Sequence, residues 1–303
     1  MRARNLLVDW GTTSFRLWAV DADGAVLAER RSGQGLTSAG DFDAVLESHA
    51  AALGIDTDVP AILCGMVGAR NGWLEAPYLD APVALSDVAG RATRVKGASR
   101  PVFILPGVSQ RRPDPDVMRG EETKLLGLKR DDGLVLMPGT HTKWARLDAG
   151  ALTRFSTFMT GEIFAHLRAA PTSVLRQAVG DAPLAETSRP VFADAVRAGF
   201  EAPGRLANAA FGVRAGWLLD GIAAADGLAR LSGLLIGAEI AGARALYADL
   251  DGVVPLGAGP GAQAYLDALA ALDIAHAPPM DADGCVRAGL SRAADIIMQE
   301  IHS

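Results

Sequence analysis

The sequence predicts an α/β protein of two related lobes, and three observations predict it. The 303 residues exceed what one ordinary core usually holds, which leaves two domains or one large α/β unit. An apolar strand, a hydroxyl-rich turn and a second strand open the chain at residues 6–20, and the same order of features returns at 133–147. Beyond residue 163 the apolar spacing is mainly helical, with one late strand.

Half of the residues are apolar, 21% are charged and the formal net charge is -6, the balance of a globular chain rather than a disordered or membrane-spanning one. An acidic balance without a long basic run argues against a nucleic-acid partner, because phosphate backbones are bound through excess Lys and Arg. Any anionic ligand is therefore held locally. The opening Met1-Arg2-Ala3-Arg4-Asn5 is basic but runs into a short strand containing Asp9, without the apolar region and cleavage site of a signal peptide. A cytoplasmic location with no membrane partner is expected. Cys64 and Cys285 stand far apart and outside any C-x-x-C pattern, which predicts reduced, packed thiols rather than a disulfide or a thiolate metal site.

Residues 5–30 read as a hairpin extended by a third strand. Two apolar strands flank Gly11-Thr12-Thr13-Ser14, and Ala25-Val26-Leu27-Ala28-Glu29 follows the turn signal Asp21-Ala22-Asp23-Gly24. Helical apolar spacing covers 42–53, a short buried strand at 60–66 enters a glycine-rich turn, and a strand at 101–105 ends at Pro106-Gly107. Residues 108–116, with Arg111, Arg112, Pro113 and Pro115, are a loop by composition, and 121–129 read as a helix. The second strand-turn-strand unit then runs through Gly139-Thr140-His141-Thr142-Lys143, and Asp148-Ala149-Gly150 begins a further turn. This places the lobes at 1–130 and 131–303. Ala-rich helices follow, broken by Pro171, Pro190 and Pro203; the apolar stretch at 231–246 carries Glu239 and Arg244 and reads as a core helix, not a membrane span. A late strand at 252–256 runs into Gly257-Ala258-Gly259-Pro260-Gly261 and a helix through Tyr265, and 286–301 has helical spacing.

An apolar strand that delivers Asp9 to a tight turn of Gly11, Thr12, Thr13 and Ser14 can present amides and hydroxyls to a phosphate beside a metal-binding carboxylate. A polar hairpin turn explains one such stretch equally well. Two of them, on facing lobes, could grip a polyphosphate from both sides. Glu121 and Glu122 begin a helix, where negative charge suits the dipole. Their position just before the second turn favours a catalytic base that accepts a hydroxyl proton. The glycine-rich loop with Arg70, Asn71, Trp73 and Glu75 suits a small polyhydroxy acid, since Arg holds carboxylates and Asn reads hydroxyls; the alternative is a solvated loop with one packed tryptophan. Residues 257–262 formally fit G-x-G-x-x-A, but the proline inside and the short chain afterwards favour a turn passing an adenosine ring over a dinucleotide fold. No P-loop, H-E-x-x-H or G-x-S-x-G sequence occurs.

Residues 9–16, 120–127, 139–143 and 257–265, in that order, resemble the motifs of the sugar kinase, heat-shock and actin ATPase superfamily. More narrowly, the runs LLVDWGTTSFRLW, CGMVGARNGWLEAPY, DVMRGEETKLLG, PGTHTKWARL, FSTFMTGEIF and LSGLLIGAEI resemble the 2-dehydro-3-deoxygalactonokinase family across nearly the whole chain. The resemblance implies two ribonuclease-H-like lobes of the actin-like ATPase fold, with ATP and a sugar acid in a central cleft. It implies transfer of the γ-phosphoryl group to the 6-hydroxyl of 2-dehydro-3-deoxy-D-galactonate, in galactonate catabolism, with Mg²⁺ as the metal.

Carried over by position, Asp9 belongs near the Mg²⁺ shell, Gly11, Thr12, Thr13 and Ser14 and the turn from Gly139 through Thr140, His141 and Thr142 to Lys143 bracket the phosphates, and Arg16 is their charge partner. Gly257 and Gly259 belong beside the adenosine. Related carbohydrate kinases draw a catalytic aspartate from a Gly-Asp-Gln-Gln run, and Gly120-Glu121-Glu122-Thr123 takes its place, so Glu121 is the expected base and Glu122 its rival. Glutamate adds one methylene, which sets the helix slightly further from the in-line geometry. Arg70, Asn71, Trp73 and Glu75 are candidates for placing the substrate, with Arg111 or Arg119 as a cation for its carboxylate. Alternatives are a kinase of a gluconate-type 2-keto-3-deoxy acid, a non-catalytic sugar-acid or nucleotide sensor, and, on the Gly257 region alone, an NAD-dependent oxidoreductase. Exposed faces of the Ala- and Leu-rich helices could pair in a homodimer.

Overall fold

A computed structural model describes the backbone of residues 2–181 and 188–302 and the side chains of 2–181 and 188–299. Strand β1 (Asn5–Trp10) is central to the first sheet because Leu6, Leu7 and Val8 are all fully buried, the run expected of a strand covered on both faces. Strand β2 (Phe15–Val20) returns antiparallel and sets Arg16 opposite Asp9. Strand β3 (Val26–Ser32) pairs antiparallel with β2 at the edge, where Glu29, Arg30 and Arg31 deter further pairing. The predicted three-stranded opening is present.

Helix α1 (Phe42–Ala51) starts at Asp41, whose carboxylate accepts the Ala44 N–H at 3.1 Å, and leads to β4 (Ala61–Gly65), parallel to β1. Then come β5 (Leu79–Asp80), β6 (Val83–Ala84), α2 (Leu85–Gly90), β7 (Thr93–Val95) and β8 (Val102–Ile104). The sheet order is β3-β2-β1-β4-β8-β7, with β8 parallel to β4 and β7 antiparallel to β8.

Where composition predicts a loop at 108–116, the chain forms β9 (Val108–Gln110) and, just beyond, β10 (Asp116–Met118). They pair antiparallel, and β5 joins β9 in a three-stranded sheet. The Arg and Pro residues occupy only the connection, which the Gln110 amide ties by donating to the Asp114 carbonyl at 3.1 Å. Helix α3 (Glu121–Gly127) ends two residues before the predicted end, because Lys129 at φ +52° leaves the helical path.

Strands β11 (Gly133–Met137), β12 (Thr142–Asp148) and β13 (Ala151–Phe158) form the second strand-turn-strand series. They are followed by α4 (Thr160–Ala169), α5 (Arg176–Val179), α6 (Arg189–Glu201), α7 (Leu206–Asp220) and α8 (Ala224–Tyr247), then β14 (Val254–Pro255), α9 (Gly259–Ala271) and α10 (Ala282–His302). The order β13-β12-β11-β14, with β14 parallel to β11, repeats β3-β2-β1-β4 of the first sheet. Two stretches with one sequence grammar thus nucleate one sheet order.

The chain divides into two compact units: Met1–Asp132, Leu147–Arg154 and Asp281–Ser303 form one, and Gly133–Arg146 with Phe155–Met280 the other. A single cut between 130 and 131 differs from this division in two places. The tip of the β12–β13 hairpin pairs Ala151 and Leu152 with Ala84 and Val83, and α10 packs on α3. Those helices touch backbone to backbone: a Cβ on Gly127 would lie 1.9 Å from the Cys285 carbonyl oxygen, and one on Gly289 the same distance from that of Thr123. The core of the first unit gathers Leu6, Val8, Trp10, Phe15, Leu63 and Ile104, and that of the second Leu136, Trp144, Ile240, Tyr247 and Leu269. Cys64 and Cys285 are buried free thiols, as expected. No helix among the described residues is long and apolar enough to cross a membrane.

Candidate active site

In the first unit, β1, β4 and α3 end around Asp9. Gly65 and Gly120 make this meeting possible, with φ of +91° and +104°: a Cβ on Gly65 would stand 2.7 Å from the Trp10 carbonyl oxygen and 3.4 Å from Asp9 Oδ1, and one on Gly120 would stand 3.4 Å from Gly65 Cα. Asp9 is half-buried. Burial raises its pKa, opposed by the charges of Lys124 and Arg16 and reinforced by those of Asp283 and Glu121. The turn after it is closed by Gly11 N–H donating to the Ser14 carbonyl at 2.8 Å. Thr12 and Thr13 are exposed, and their hydroxyls make no hydrogen bond with a described residue. The Thr12 carbonyl accepts from the Thr37 amide at 3.1 Å and from its hydroxyl at 3.1 Å, which fixes the turn from outside.

Arg16 does not stand free. Its Nη1 bonds Asp283 Oδ1 and lies 3.8 Å from Asp9 Oδ2, while Asp283 Oδ2 accepts from Arg31 at 2.8 Å. Asp283, at the start of α10, is a member of the site that the sequence does not announce, since 267 residues separate it from Arg16.

The two glutamates at the start of α3 separate cleanly. Glu122 is 1% exposed; its carboxylate accepts the Gly120 N–H at 2.8 and 2.7 Å and the Thr123 hydroxyl at 3.0 Å. Burial, with the neighbouring Glu121 charge, pushes it up to about 7. Glu121 is half-buried, and one of its oxygens accepts the Arg119 N–H at 3.2 Å. Of the two, Glu121 is therefore the carboxylate open to a ligand.

The substrate candidates do not all gather there. Arg70 and Glu75 form an exposed pair at 3.7 Å, with Asn71 exposed between them in sequence. Trp73 stacks on Phe42 at 6.2 Å and packs against the core, which is the packed-tryptophan alternative rather than an open ring. Arg119 donates to the Ala76 carbonyl at 2.9 Å and lies 4.3 Å over the Tyr78 ring, with Nε and Nη1 enclosed and unpartnered. Arg111 lies apart, paired with Asp80 at 3.5 Å.

In the second unit the turn after β11 is held by α4, whose Glu162 N–H donates to the Thr140 carbonyl at 3.0 Å and whose carboxylate bonds His141. The His141 bond lowers the Glu162 pKa. Thr142 points inward and is fully buried, its hydroxyl 2.9 Å from the Tyr265 hydroxyl, so it is not presented to a ligand as the resemblance implied. Lys143 is 5% exposed, and alternation along β12 turns it to the face opposite Thr142 and Trp144. Beside the turn is a 230 Å³ apolar slot bordered by Gly139, Gly161, Phe164, Ile236, Ala262 and Tyr265, of a size for a purine ring. Gly257 and Gly259 lie at the foot of α9, next to Ala258 and Gly261 of that slot's wall.

Beneath the slot is a buried carboxyl that sequence reasoning did not assign to the site. Glu239 of α8, 3% exposed, accepts the Trp144 indole N–H at 2.9 Å and the Tyr265 hydroxyl at 2.6 Å. Burial pushes it up to about 7 against hydrogen bonds from Thr160, Tyr265 and Trp144. One signal was present, a lone carboxylate in a mainly apolar helical window.

Among the described residues no three His, Cys, Asp or Glu side chains gather as a metal cage. A single carboxylate such as Asp9 is nevertheless a fitting donor set for Mg²⁺, which keeps several waters and draws other ligands from substrate phosphates.

The family model of 2-keto-3-deoxy-galactonokinase matches residues 9–293. The chain is 50% identical over 297 residues to DgoK1 of Rhizobium meliloti (strain 1021), a probable 2-dehydro-3-deoxygalactonokinase, covering 96% of each. It is 35% identical over 250 residues to the 2-dehydro-3-deoxygalactonokinase of Escherichia coli (strain K12), covering 80% of this chain and 82% of that protein. A crystal structure assigned to a 2-dehydro-3-deoxygalactonokinase protein of Sinorhizobium meliloti superposes with a TM-score of 0.92 at 49% identity, covering 97% of this chain and 99% of the other. A likeness in fold alone extends to the activator of 2-hydroxyisocaproyl-CoA dehydratase from Clostridium difficile, at a TM-score of 0.52 and 12% identity over 99% of this chain and 97% of that one. The fold is that of the actin-like ATPases.

Proposed function

The chain belongs to the 2-keto-3-deoxy-galactonokinase family, and from that premise we propose that it transfers the γ-phosphoryl group of ATP to the 6-hydroxyl of 2-dehydro-3-deoxy-D-galactonate, in galactonate catabolism. The observation that carries the reading is the gathering of Asp9, the open Thr12-Thr13 turn and Glu121 around the Gly65–Gly120 contact. A hydroxyl-bearing substrate laid against Glu121 finds a proton acceptor there, and the turn beside it offers donors to a phosphoryl group.

Glu121 takes the proton of the attacking hydroxyl, and Glu122, enclosed by its own helix start, holds that start in shape. Thr12, Thr13, the turn amides and Arg16 stabilise charge on the transferring group. The exposed turn of Gly139, Thr140 and His141 offers amides and a hydroxyl to an anion, as the family resemblance implies, whereas the buried Lys143 does not reach one. The apolar slot takes the adenine, with Gly257 and Gly259 at its approach. Asp9 would hold Mg²⁺, which supplies charge neutralisation to the phosphates when bound. Arg70, Asn71 and Glu75 meet the sugar-acid hydroxyls, and Arg119, next to Glu121, is favoured over Arg111 as the carboxylate's cation. The same reading places the enzyme in the cytoplasm as a homodimer paired through α7, where Phe211, Leu218 and Leu219 are exposed.

The test is coupled ADP release from MgATP with 2-keto-3-deoxy acids of galactonate and gluconate type, and with none. ADP should appear with a sugar acid only, fastest with the galactonate-derived one. A faster gluconate-derived reaction would reassign the substrate. Nucleotide binding without turnover on any acid would make the protein a sensor.

A further inference from the structure

We propose that Glu239 is a positioning residue for nucleotide binding, a buried anchor that joins the second phosphate turn, the start of α4 and the middle of α9 into one rigid seat. The inference rests on the kinase reading and goes beyond it by adding a residue that touches no ligand.

Three elements send polar side chains to this carboxyl. Trp144 of β12 donates its indole N–H, Tyr265 of α9 its hydroxyl, and Thr160 at the start of α4 a third hydrogen bond. Thr142 extends the chain by one link, donating to the Tyr265 oxygen. Each partner belongs to an element that borders the slot or forms the turn: Thr160, Gly161 and Tyr265 line the slot, and Thr142 closes the turn. A Cβ on Gly161 would stand 2.5 Å from the Gly139 carbonyl oxygen, so α4 and the turn are in direct backbone contact. A movement of any partner therefore moves the phosphate and adenine contacts together.

A helix needing only to fill this core has no use for a carboxyl. Burying one unpaired is costly, and an apolar side chain of similar volume would avoid that cost. What the carboxyl adds is direction. It accepts several donors at once and fixes the rotamers of Trp144, Thr160 and Tyr265. Its pKa near 7 is the mark of that burial. The reacting atoms lie elsewhere, so the effect falls on nucleotide affinity rather than on the sugar acid.

The experiment compares Glu239→Gln, Glu239→Leu and Tyr265→Phe by calorimetric titration with MgATP, steady-state kinetics and thermal unfolding. Glu239→Leu leaves several buried donors unpaired and should weaken ATP binding roughly tenfold or more. Glu239→Gln keeps one acceptor oxygen for the Trp144 N–H and turns the other into an NH2 that the Tyr265 hydroxyl can accept while it donates to Thr142, so it should stay within about threefold of the wild type. In both, KM for the sugar acid should hold, and KM for ATP should rise in Glu239→Leu alone. If Glu239→Leu does not fold, Tyr265→Phe decides, because it cuts the Thr142 link and keeps the ring; it should weaken ATP binding in the same direction. Folded Glu239→Leu or Tyr265→Phe protein with wild-type ATP affinity would overturn the proposal, as would a Gln variant as impaired as the Leu one. Wild-type protein that binds no ATP would instead overturn the kinase reading.

Discussion

At residues 9–16 the proposed phosphate turn is braced by charges that water reaches, Arg16 against Asp283 and Asp9, whereas at 139–143 the brace is a buried carboxyl, Glu239, reached through Thr142 and Tyr265. Both turns follow an apolar strand, both are rich in hydroxyls, and both begin a sheet of the same order. The difference lies in what each brace can exchange. Half-exposed ion pairs hold weakly and give way to a competing anion, so Arg16 can trade Asp283 for a phosphate. Hydrogen bonds to an enclosed carboxyl have no such competitor. The first turn is thus suited to adjust around an anion, and the second to stay fixed.

The largest expected effect belongs to neither brace. Glu121→Gln should lower the single-turnover rate by about 10²- to 10⁴-fold with ATP affinity retained, while Glu122→Gln should cost far less. Equal losses in the two variants would reverse the assignment of the base.

Next comes the first turn's own carboxylate. Asp9→Asn should raise the Mg²⁺ concentration needed for half-maximal activity by roughly 10- to 100-fold. A metal titration that does not shift would remove Asp9 from the Mg²⁺ shell.

The buried carboxyls leave a mark on stability. Glu239 and Glu122 hold their protons more tightly folded than unfolded, at about 7 against an ordinary 4.5. The stabilisation carried by those protons is complete below about pH 4.5 and is lost as the pH rises through about 7, up to about 3 kcal/mol for each group. Urea unfolding at about pH 5 and about pH 8 should therefore show the wild type losing more stability than Glu239→Gln, whose side chain does not titrate. Parallel losses would mean that Glu239 is not the group responsible.

The smallest effect sharpens the contrast. Asp283→Asn should change KM for ATP by less than about fivefold, and increasingly less as salt is added, because a half-exposed pair is worth about 1 kcal/mol at most. A large, salt-independent change would show the first brace to be as stiff as the second.

What could be read from the sequence follows from distance along the chain. Asp9 and its turn, Glu121 at a helix start and the second turn are local patterns, and each lies where its own neighbours place it. The short strands β9 and β10 escaped because Arg112, Pro113 and Pro115 dominate the window while the pairing that makes them strands is made across a loop and with β5. β13 escaped in the same way, its eight residues reading as neither helix nor clear alternation. Thr142 and Thr140 look alike on paper, and only the fold turns one into the core and the other outward. Glu239 was visible as an oddity in an apolar helix, but its partners Trp144, Thr160 and Tyr265 come from three other elements. Asp283 gave no sign at all.

Helix α10 has a consequence for how the molecule comes into being. Because it lies on α3 and carries Asp283, the unit that begins at β1 is unfinished until the ribosome has made everything through residue 281 and beyond. Units usually fold in the order of their synthesis, N-terminal first. Here the later-made unit is complete in sequence sooner, and the earlier one waits with Gly127 uncovered and Arg16 without its carboxylate. A released chain ending at residue 280 should therefore show a protease-resistant second unit beside a first unit that is still cut.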